Sequence, residues 1–541
     1  MIADARRYPM DAQLTCDVCV VGAGPAGLVL ARALAEAGHD VLVLESGGRQ
    51  PEQRTQRLGV SEDVGLPYYP LDTFRARCLG GSSYLWGGWC RPLDPIDLKP
   101  RAWIAHSGWP FDFEAIAPHY ARAWRACGLS PEGITDGATR DANDALPPPA
   151  SPFARTAIAV NAVRFGAEHR AWLAAAPHAR LLLHAVATEL EPNGDADAIA
   201  AVRVAALGGR RLRIAAGVVV LAAGGIENPR LLLASCAGDP RGVGNRHGLV
   251  GRYFTEHLHA PVARLDIPAA AAPRLAAFFD QHVDGRRQRA ALTLTPDAAR
   301  AQRLPGLSAT LHNLDDPHDL YLNTRATPTY IALARLVQSA HLRTWPDHCA
   351  TKLATVARHP AQLGRLVYRH YVKPRRRRLV LCCRAEQTPN PDSRVTLSDH
   401  TDELGVPLPR LDWRIRGADV DGLARGGALL LDTLRGAHLG RVTPLLADGA
   451  EALSRQIAGG PHQLGTTRMH ADPSRGVVDA DCRVHGVDNL YVAGGSVFPT
   501  AGWSNPTLTI LALSFRLADH LHARLAARPA PAAVDAVAAV A

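Results

Sequence analysis

Residues 17–45 read DVCVVGAGPAGLVLARALAEAGHDVLVLE. The valine-rich run 17–21 suits a buried parallel strand. Gly22, Ala23, Gly24, Pro25, Ala26 and Gly27 follow, and 28–37 are mostly apolar helix formers ended by Gly38. A second apolar strand, 41–44, ends in Glu45 and Ser46. Each part has a task in a strand–turn–helix unit that binds a dinucleotide. Gly22 permits the turn, Gly24 lets the backbone approach a pyrophosphate, and Gly27 lets helix and strand pack closely. The helix N-terminus directs free N–H groups at phosphate charge. Glu45 stands 23 residues after Gly22, where a carboxylate accepts from a ribose hydroxyl and repels a 2′-phosphate. The unit argues against NADP and leaves NAD and FAD open.

A second glycine cluster, residues 77–92, reads RCLGGSSYLWGGWCRP. Its density of glycine and tryptophan suits a close-packed loop over a flat ligand, with N–H groups free to meet an oxygen-rich one. Arg77, Gly80, Gly81, Ser82, Trp86, Gly87 and Gly88 are its candidate contacts. Further on, 181–187 reads as a strand, 199–207 and 211–215 as a hairpin turning at Gly208-Gly209, and 218–223 as an all-apolar strand. Gly224-Gly225 follow, and Asn228 with Pro229 predicts a helix over 230–234. A small antiparallel layer inserted before a parallel strand favours FAD over NAD and adds Val186, Ala223 and Gly224 to the cofactor set.

The chain has 541 residues, too many for one ordinary core, so two domains are expected. Composition is globular, with 47% hydrophobic and 21% charged residues. The net charge of +9 is supplied almost wholly by arginine and is not read as a nucleic-acid signal. One dense basic run, 373–378, reads as a solvated edge, with contact to anionic lipid or an acidic partner as the sharper alternative. The stretch before it, 350–373, reads as helical and basic. Ten cysteines in no metal-like spacing read as reduced, mostly buried thiols, with no metal site. The opening MIADARRYPMDAQLT lacks the apolar centre of a secretory signal, and no run of 18 apolar residues exists, so the expected location is cytoplasmic. Residues 524–541 are expected to be a flexible tail.

The C-terminal third concentrates polar chemistry. Residues 461–470 read PHQLGTTRMH, and the strand 489–493 is followed by Gly494-Gly495-Ser496. In Gly502-Trp503-Ser504-Asn505-Pro506-Thr507, Asn505 suits an N-cap and Pro506 the first turn of a long apolar helix, 507–521. That helix N-terminus favours an anion such as a reduced flavin.

Taken together these motifs resemble the glucose–methanol–choline (GMC) flavin oxidoreductases, and they occur in family order from about 17 to 521. The resemblance implies an α/β (α+β) protein with a discontinuous Rossmann-type FAD-binding domain (12–135, 178–262 and 455–523). It also implies a substrate-binding domain built on an antiparallel sheet (263–454), with 136–177 as a possible linker. The family's catalytic pair falls on His462 and Asn505. In the family the histidine takes the proton of an alcohol while the α-hydrogen leaves as hydride to flavin N5. A neutral imidazole suits that role near pH 7, and Asn505 can orient the same oxygen.

Leu85 stands where some members carry a histidine that tethers the flavin, so FAD is expected to be non-covalent. Gly494 stands where many members carry an acid. Gly494, Gly495, Asn505, Pro506 and Thr507 complete the expected cofactor contacts. The loop pattern is nearest in look to bacterial sugar and polyol members. The implied partners are a small-molecule alcohol and an electron acceptor, whether oxygen, a quinone or a redox protein, with no nucleic acid. A cyanohydrin lyase and a non-catalytic FAD-binding subunit are the alternative readings.

Overall fold

The computed structural model describes residues 1–130, 146–283, 285–313, 349–361 and 378–527, together with 336 and 364. Among them an eight-stranded sheet runs in the order Ile2–Asp4, Ala179–Leu183, Val41–Leu44, Ala12–Val21, Arg211–Leu221, Ile199–Ala205, Val186–Pro192, with Leu490–Val492 beside Arg211–Leu221. Its centre is parallel: Ala12–Val21 lies between Val41–Leu44 and Arg211–Leu221. Val18, Cys19, Val20, Val41, Val43, Val218 and Val220 are fully buried, as near-continuous apolar runs in a sheet covered on both faces require.

The first unit is as expected, with two boundary changes. The strand begins at Ala12, and the helix Pro25–Glu36 begins three residues before Leu28. Proline tolerates that first position because its missing N–H has no partner there in any helix. The helix then packs against Thr507–Ala526.

Residues 211–221, expected as two strands, form one. Its first half pairs antiparallel with Ile199–Ala205, and its second half pairs parallel with Leu490–Val492. One long strand thus carries the hairpin and the C-terminal strand on the same edge. The strand expected over 181–187 breaks at His184, whose φ is +55°. The helix expected from Arg230 begins at Gly224, with Pro229 inside it. Asn228 is therefore no N-cap. Its buried amide accepts from the Ala223 N–H at 2.8 Å and donates to the Ala493 carbonyl and Ser496 Oγ.

A nine-stranded sheet runs Arg441–Pro444, His257–Asp266, Arg378–Glu386, Leu307–Asn313, Arg286–Leu294, Phe153–Val160, Trp89–Cys90, with two short strands beside it. The pairings along this path are antiparallel. Of the possible linker 136–177, residues 136–145 lie outside the described residues, while Phe153–Val160 is an inner strand of this sheet and Phe165–Ala175 is a helix. His257–Asp266 likewise belongs to it although it begins within 178–262. The distinction escapes local pattern because strand partners lie far apart in sequence.

Alternation gives this sheet two unlike faces. Leu258, Ala260, Val262, Leu307, Ala309, Leu311, Cys383 and Ala385 pack into an apolar core. The opposite face holds His257, His259, Ser308, Thr310, His312, Arg384 and Glu386, all buried. In register, His257 stands opposite Glu386, and His259 opposite Arg384.

Of the expected helix over 350–373, Cys349–Arg358 is helical, and 365–373 lie outside the described residues. The basic run is described only at Arg378, the first residue of a strand. The C-terminal helix extends to Ala526, past Leu521 and into the expected tail, and Arg524 donates to the Asp488 carbonyl. Residues 528–541 lie outside the described residues. No described helix is long and apolar enough to cross a membrane.

Candidate active site

Three central parallel strands end in glycine turns at one edge of the first sheet. Gly22 follows Val21, Gly224 follows Leu221 by three residues, and Gly494 follows Val492 by two. Backbone bonds align these ends: Gly22 N–H to the Leu44 carbonyl, Ala222 N–H to Val21, Ala493 N–H to Leu221. A Cβ at Gly27 would stand 2.0 Å from the Gly22 carbonyl oxygen, so helix and turn are in direct backbone contact. The two glycine clusters also meet. Gly80 N–H donates to the Ala23 carbonyl at 2.8 Å, and a Cβ at Gly81 would lie 2.9 Å from Gly24 Cα.

Around this junction a Cβ on Gly24, Gly224 or Gly494 would point into open space. The helix opening with Pro25, Ala26 and Gly27 has no side-chain cap, so its N-terminal N–H groups face outward. An open glycine rim over an uncapped helix N-terminus fits a dinucleotide pyrophosphate. The residues present therefore suit FAD.

Several expected contacts have partners of their own. The Glu45 carboxylate accepts from Ala23 N–H at 3.1 Å and Gly47 N–H at 2.9 Å, and Ser46 Oγ lies against it. Burial raises its pKa against those bonds. Glu45 thus braces the glycine turn. Arg77 was expected to face the cofactor, but it pairs with Glu227 at 2.9 Å and donates to the Leu58 carbonyl. Burial alone would raise Glu227, but Arg77, Arg230 and Arg75 hold it well below the carboxylate range.

Trp86 donates to the Val163 carbonyl at 2.7 Å, which anchors the second loop, and Gly87 follows it. Gly88 lies against the Asn161–Ala162 backbone. Ser82 Oγ accepts from Ala76 N–H. Val186 is a buried strand start and Ala223 precedes the helix Gly224–Ala234. Gly495 opens a short 3-10 turn packed on Leu464. Pro506 precedes the helix that begins at Thr507.

Asn505 is not the helix cap. Its Oδ1 accepts from Arg384 Nη1 at 2.5 Å, and its Nδ2 faces His462 Nε2 at 3.4 Å. A guanidinium is a stronger partner than a backbone N–H, and it draws the amide away from the helix end. His462 and Asn505, 43 positions apart, therefore meet side chain to side chain.

His462 Nδ1 lies 2.7 Å from His257 Nδ1, with the rings edge to face. His257 Nε2 contacts the Gly502 carbonyl at 3.0 Å. Burial holds His462 well below the usual imidazole range, and His257 and Arg384 add to the shift. Burial, with Arg384, lowers His257 to about 3. Both rings are neutral at pH 7.

Two buried carboxylates hold the loops that carry this group. Glu256 accepts from the N–H groups of His462 and Gly460 at 3.0 Å, from its neighbour His257, and from Tyr68 O–H. Burial pushes it up to about 7 against those bonds. Glu386 takes two bonds of 2.7 Å from Arg101 and accepts from Gly502 N–H and Gly306 N–H at 3.1 Å. Burial alone would raise Glu386, but the Arg101 guanidinium overrides it and the carboxyl lies below its ordinary value.

Glu256, His257, Arg384 and Glu386 carry no motif, and none was expected at the site. The signal available was alternation: His-Leu-His-Ala at 257–260 and Arg-Ala-Glu at 384–386 place polar residues on one face of two strands.

Two family models match the chain: one described as FAD dependent oxidoreductase over residues 17–286, and one as GMC oxidoreductase over 389–514. The chain is 29% identical to 6'''-hydroxyparomomycin C oxidase of Streptomyces lividus, across 96% of this chain and 93% of that one. It is 26% identical to 2-methyl-1,2-propanediol dehydrogenase of Mycolicibacterium austroafricanum, across 94% and 95%. Pyridoxine 4-oxidase from Mesorbium loti shares the fold, with a TM-score of 0.57 and 19% identity over 94% of this chain and 99% of that one. With an N-terminal cofactor region and a C-terminal segment each matched, and relatives aligned over nearly the whole chain, the chain belongs to the GMC family of FAD-dependent oxidoreductases.

Proposed function

We propose that this enzyme oxidises a CH–OH group of a polyhydroxylated small molecule, a sugar or polyol, to a carbonyl, with His462 as general base. FAD, when bound, supplies the hydride acceptor. The observation that carries the reading is a neutral, half-buried His462 facing the Asn505 amide beneath a buried polar sheet face. A hydroxyl set against both groups gives its proton to His462 Nε2 and accepts from Asn505 Nδ2. Proton removal raises electron density at the carbon, which makes its hydrogen a better hydride donor. Arg384 holds the Asn505 oxygen, so the amide turns its N–H side to the developing alkoxide.

The relatives named above act on hydroxylated compounds, which supports the substrate class. So does the chemistry of the polar face. His259 and Ser308 flank Arg384 in register and Thr310 lies against His312, a mixture of donors and acceptors suited to several hydroxyls and poor for a purely apolar alcohol. FAD held without a covalent link through Leu85 belongs to the same proposal.

The test is anaerobic mixing of purified holoenzyme with matched sugars, polyols and simple alcohols, followed by loss of flavin absorbance. Bleaching by polyols is expected. His462→Ala should keep its FAD and lose reduction rate by about 10²–10⁴-fold. No bleaching by any hydroxyl compound would overturn the function, and an unchanged rate in His462→Ala would remove that residue from it. Peroxide formation and dye reduction, measured side by side, separate oxygen from other acceptors.

A further inference from the structure

The Nδ1–Nδ1 contact between His257 and His462 is 2.7 Å long, so one of the two nitrogens carries a proton and the other is bare. Its neighbours decide which. The Gly502 carbonyl, 3.0 Å from His257 Nε2, can only accept. His257 Nε2 therefore carries the proton of that ring. Both rings are neutral, so His257 Nδ1 is bare and His462 Nδ1 must be the donor. His462 has one proton to place, which leaves Nε2 with a free lone pair.

The other end of the chain agrees independently. Arg384 has only donors, so its contact with Asn505 fixes the oxygen on that side and aims the Nδ2–H group at His462 Nε2. A bare Nε2 meets that N–H favourably, whereas a protonated one would oppose it.

We propose that His257 is a positioning residue that sets the tautomer of His462, turning the Nε2 lone pair to the substrate hydroxyl. The Gly502 carbonyl anchors one end of the chain and Arg384 the other. The inference rests on the function proposed above for His462. It adds that the basic nitrogen is chosen by a strand residue 205 positions away. When Nε2 takes a proton, the Nδ1–H bond to His257 becomes charge-assisted and steadies the imidazolium.

Two substitutions separate the parts of His257. His257→Asn keeps an acceptor near the former Nδ1 but cannot reach Gly502. His257→Gln reaches towards Gly502 but leaves His462 Nδ1–H without its acceptor. In FAD-loaded protein, the rate of flavin reduction by an oxidised polyol should fall about 10²-fold in His257→Gln, and His257→Asn should recover at least tenfold of that loss. Substrate dissociation constants should change little in either.

The second readout needs no turnover. Long-range ¹⁵N–¹H spectra of histidine-labelled holoenzyme, with His462 assigned by its disappearance in His462→Ala, should show Nδ1 protonated and Nε2 bare. In His257→Gln the protonated Nε2 form should appear. A protonated Nε2 in the unsubstituted enzyme would overturn the proposal, as would equal rates in the two variants. Failure of every alcohol to bleach the flavin would overturn the function and leave the tautomer to the spectra.

Discussion

Replacing Arg101 by methionine would leave Glu386 buried without its cation. Glu386 is 0% exposed and Arg101 4%, so water cannot compensate. Two bonds of 2.7 Å place the charge centres roughly 4 Å apart, worth about 4 kcal/mol at an effective dielectric constant of about 20. The N–H groups of Gly306 and Gly502 remain as donors to the carboxylate and soften the loss. A cost of about 3–4 kcal/mol is expected for Arg101→Met, in the range found when one partner of a buried pair is removed. Arg101→Met with Glu386→Gln should recover about half, because no charge is then stranded.

Equilibrium urea unfolding followed by tryptophan fluorescence, with unfolding and refolding curves coincident, measures all four corners of the cycle. The pH dependence has a definite sign. Glu386 titrates below its ordinary value of 4.5, so its contribution is present above that value and is lost as pH falls through the lower, folded one. Arg101→Met should abolish that acid sensitivity. A cost below about 1 kcal/mol, or strict additivity of the two substitutions, would refute the reasoning.

Gly27→Ala should destabilise the cofactor unit and sharply reduce bound FAD, because its Cβ would meet the Gly22 carbonyl backbone at 2.0 Å; flavin content per chain after purification checks this, and a full complement would count against the close-contact reading. Glu256 has the opposite pH sign to Glu386. Its folded pKa of about 7 lies above the ordinary 4.5, so its stabilisation is complete below 4.5 and is lost as pH rises to about 7. Glu256→Gln should flatten the urea midpoint across that window, and an unaltered pH profile would assign the titration to another group.

Much of the fold was legible because the first motif is local. Residues 17–45 contain both strands, the turn and the helix of one unit, and each is specified by neighbours within a few residues. The open rim at Gly24, Gly224 and Gly494 was legible for the same reason, since each glycine closely follows an apolar strand. The ion pair of Arg77 was not legible, because Glu227 is 150 residues away along the chain. In the folded chain the two are 2.9 Å apart. Asn228 reads as a helix cap locally but lies inside a helix that begins at Gly224, and the Asn505 amide is taken by Arg384 instead.

By itself the sequence determined that a dinucleotide is held at strand ends, and that His462 and Asn505 belong to one C-terminal segment. Tertiary structure alone decided the electrostatics of the site. Strand register sets His257 opposite Glu386 and His259 opposite Arg384, and loop packing brings Gly502 to His257. Those contacts join residues up to 245 positions apart. A side chain's proton and charge depend on what lies within a few ångströms of it, and no local pattern along the chain records that distance.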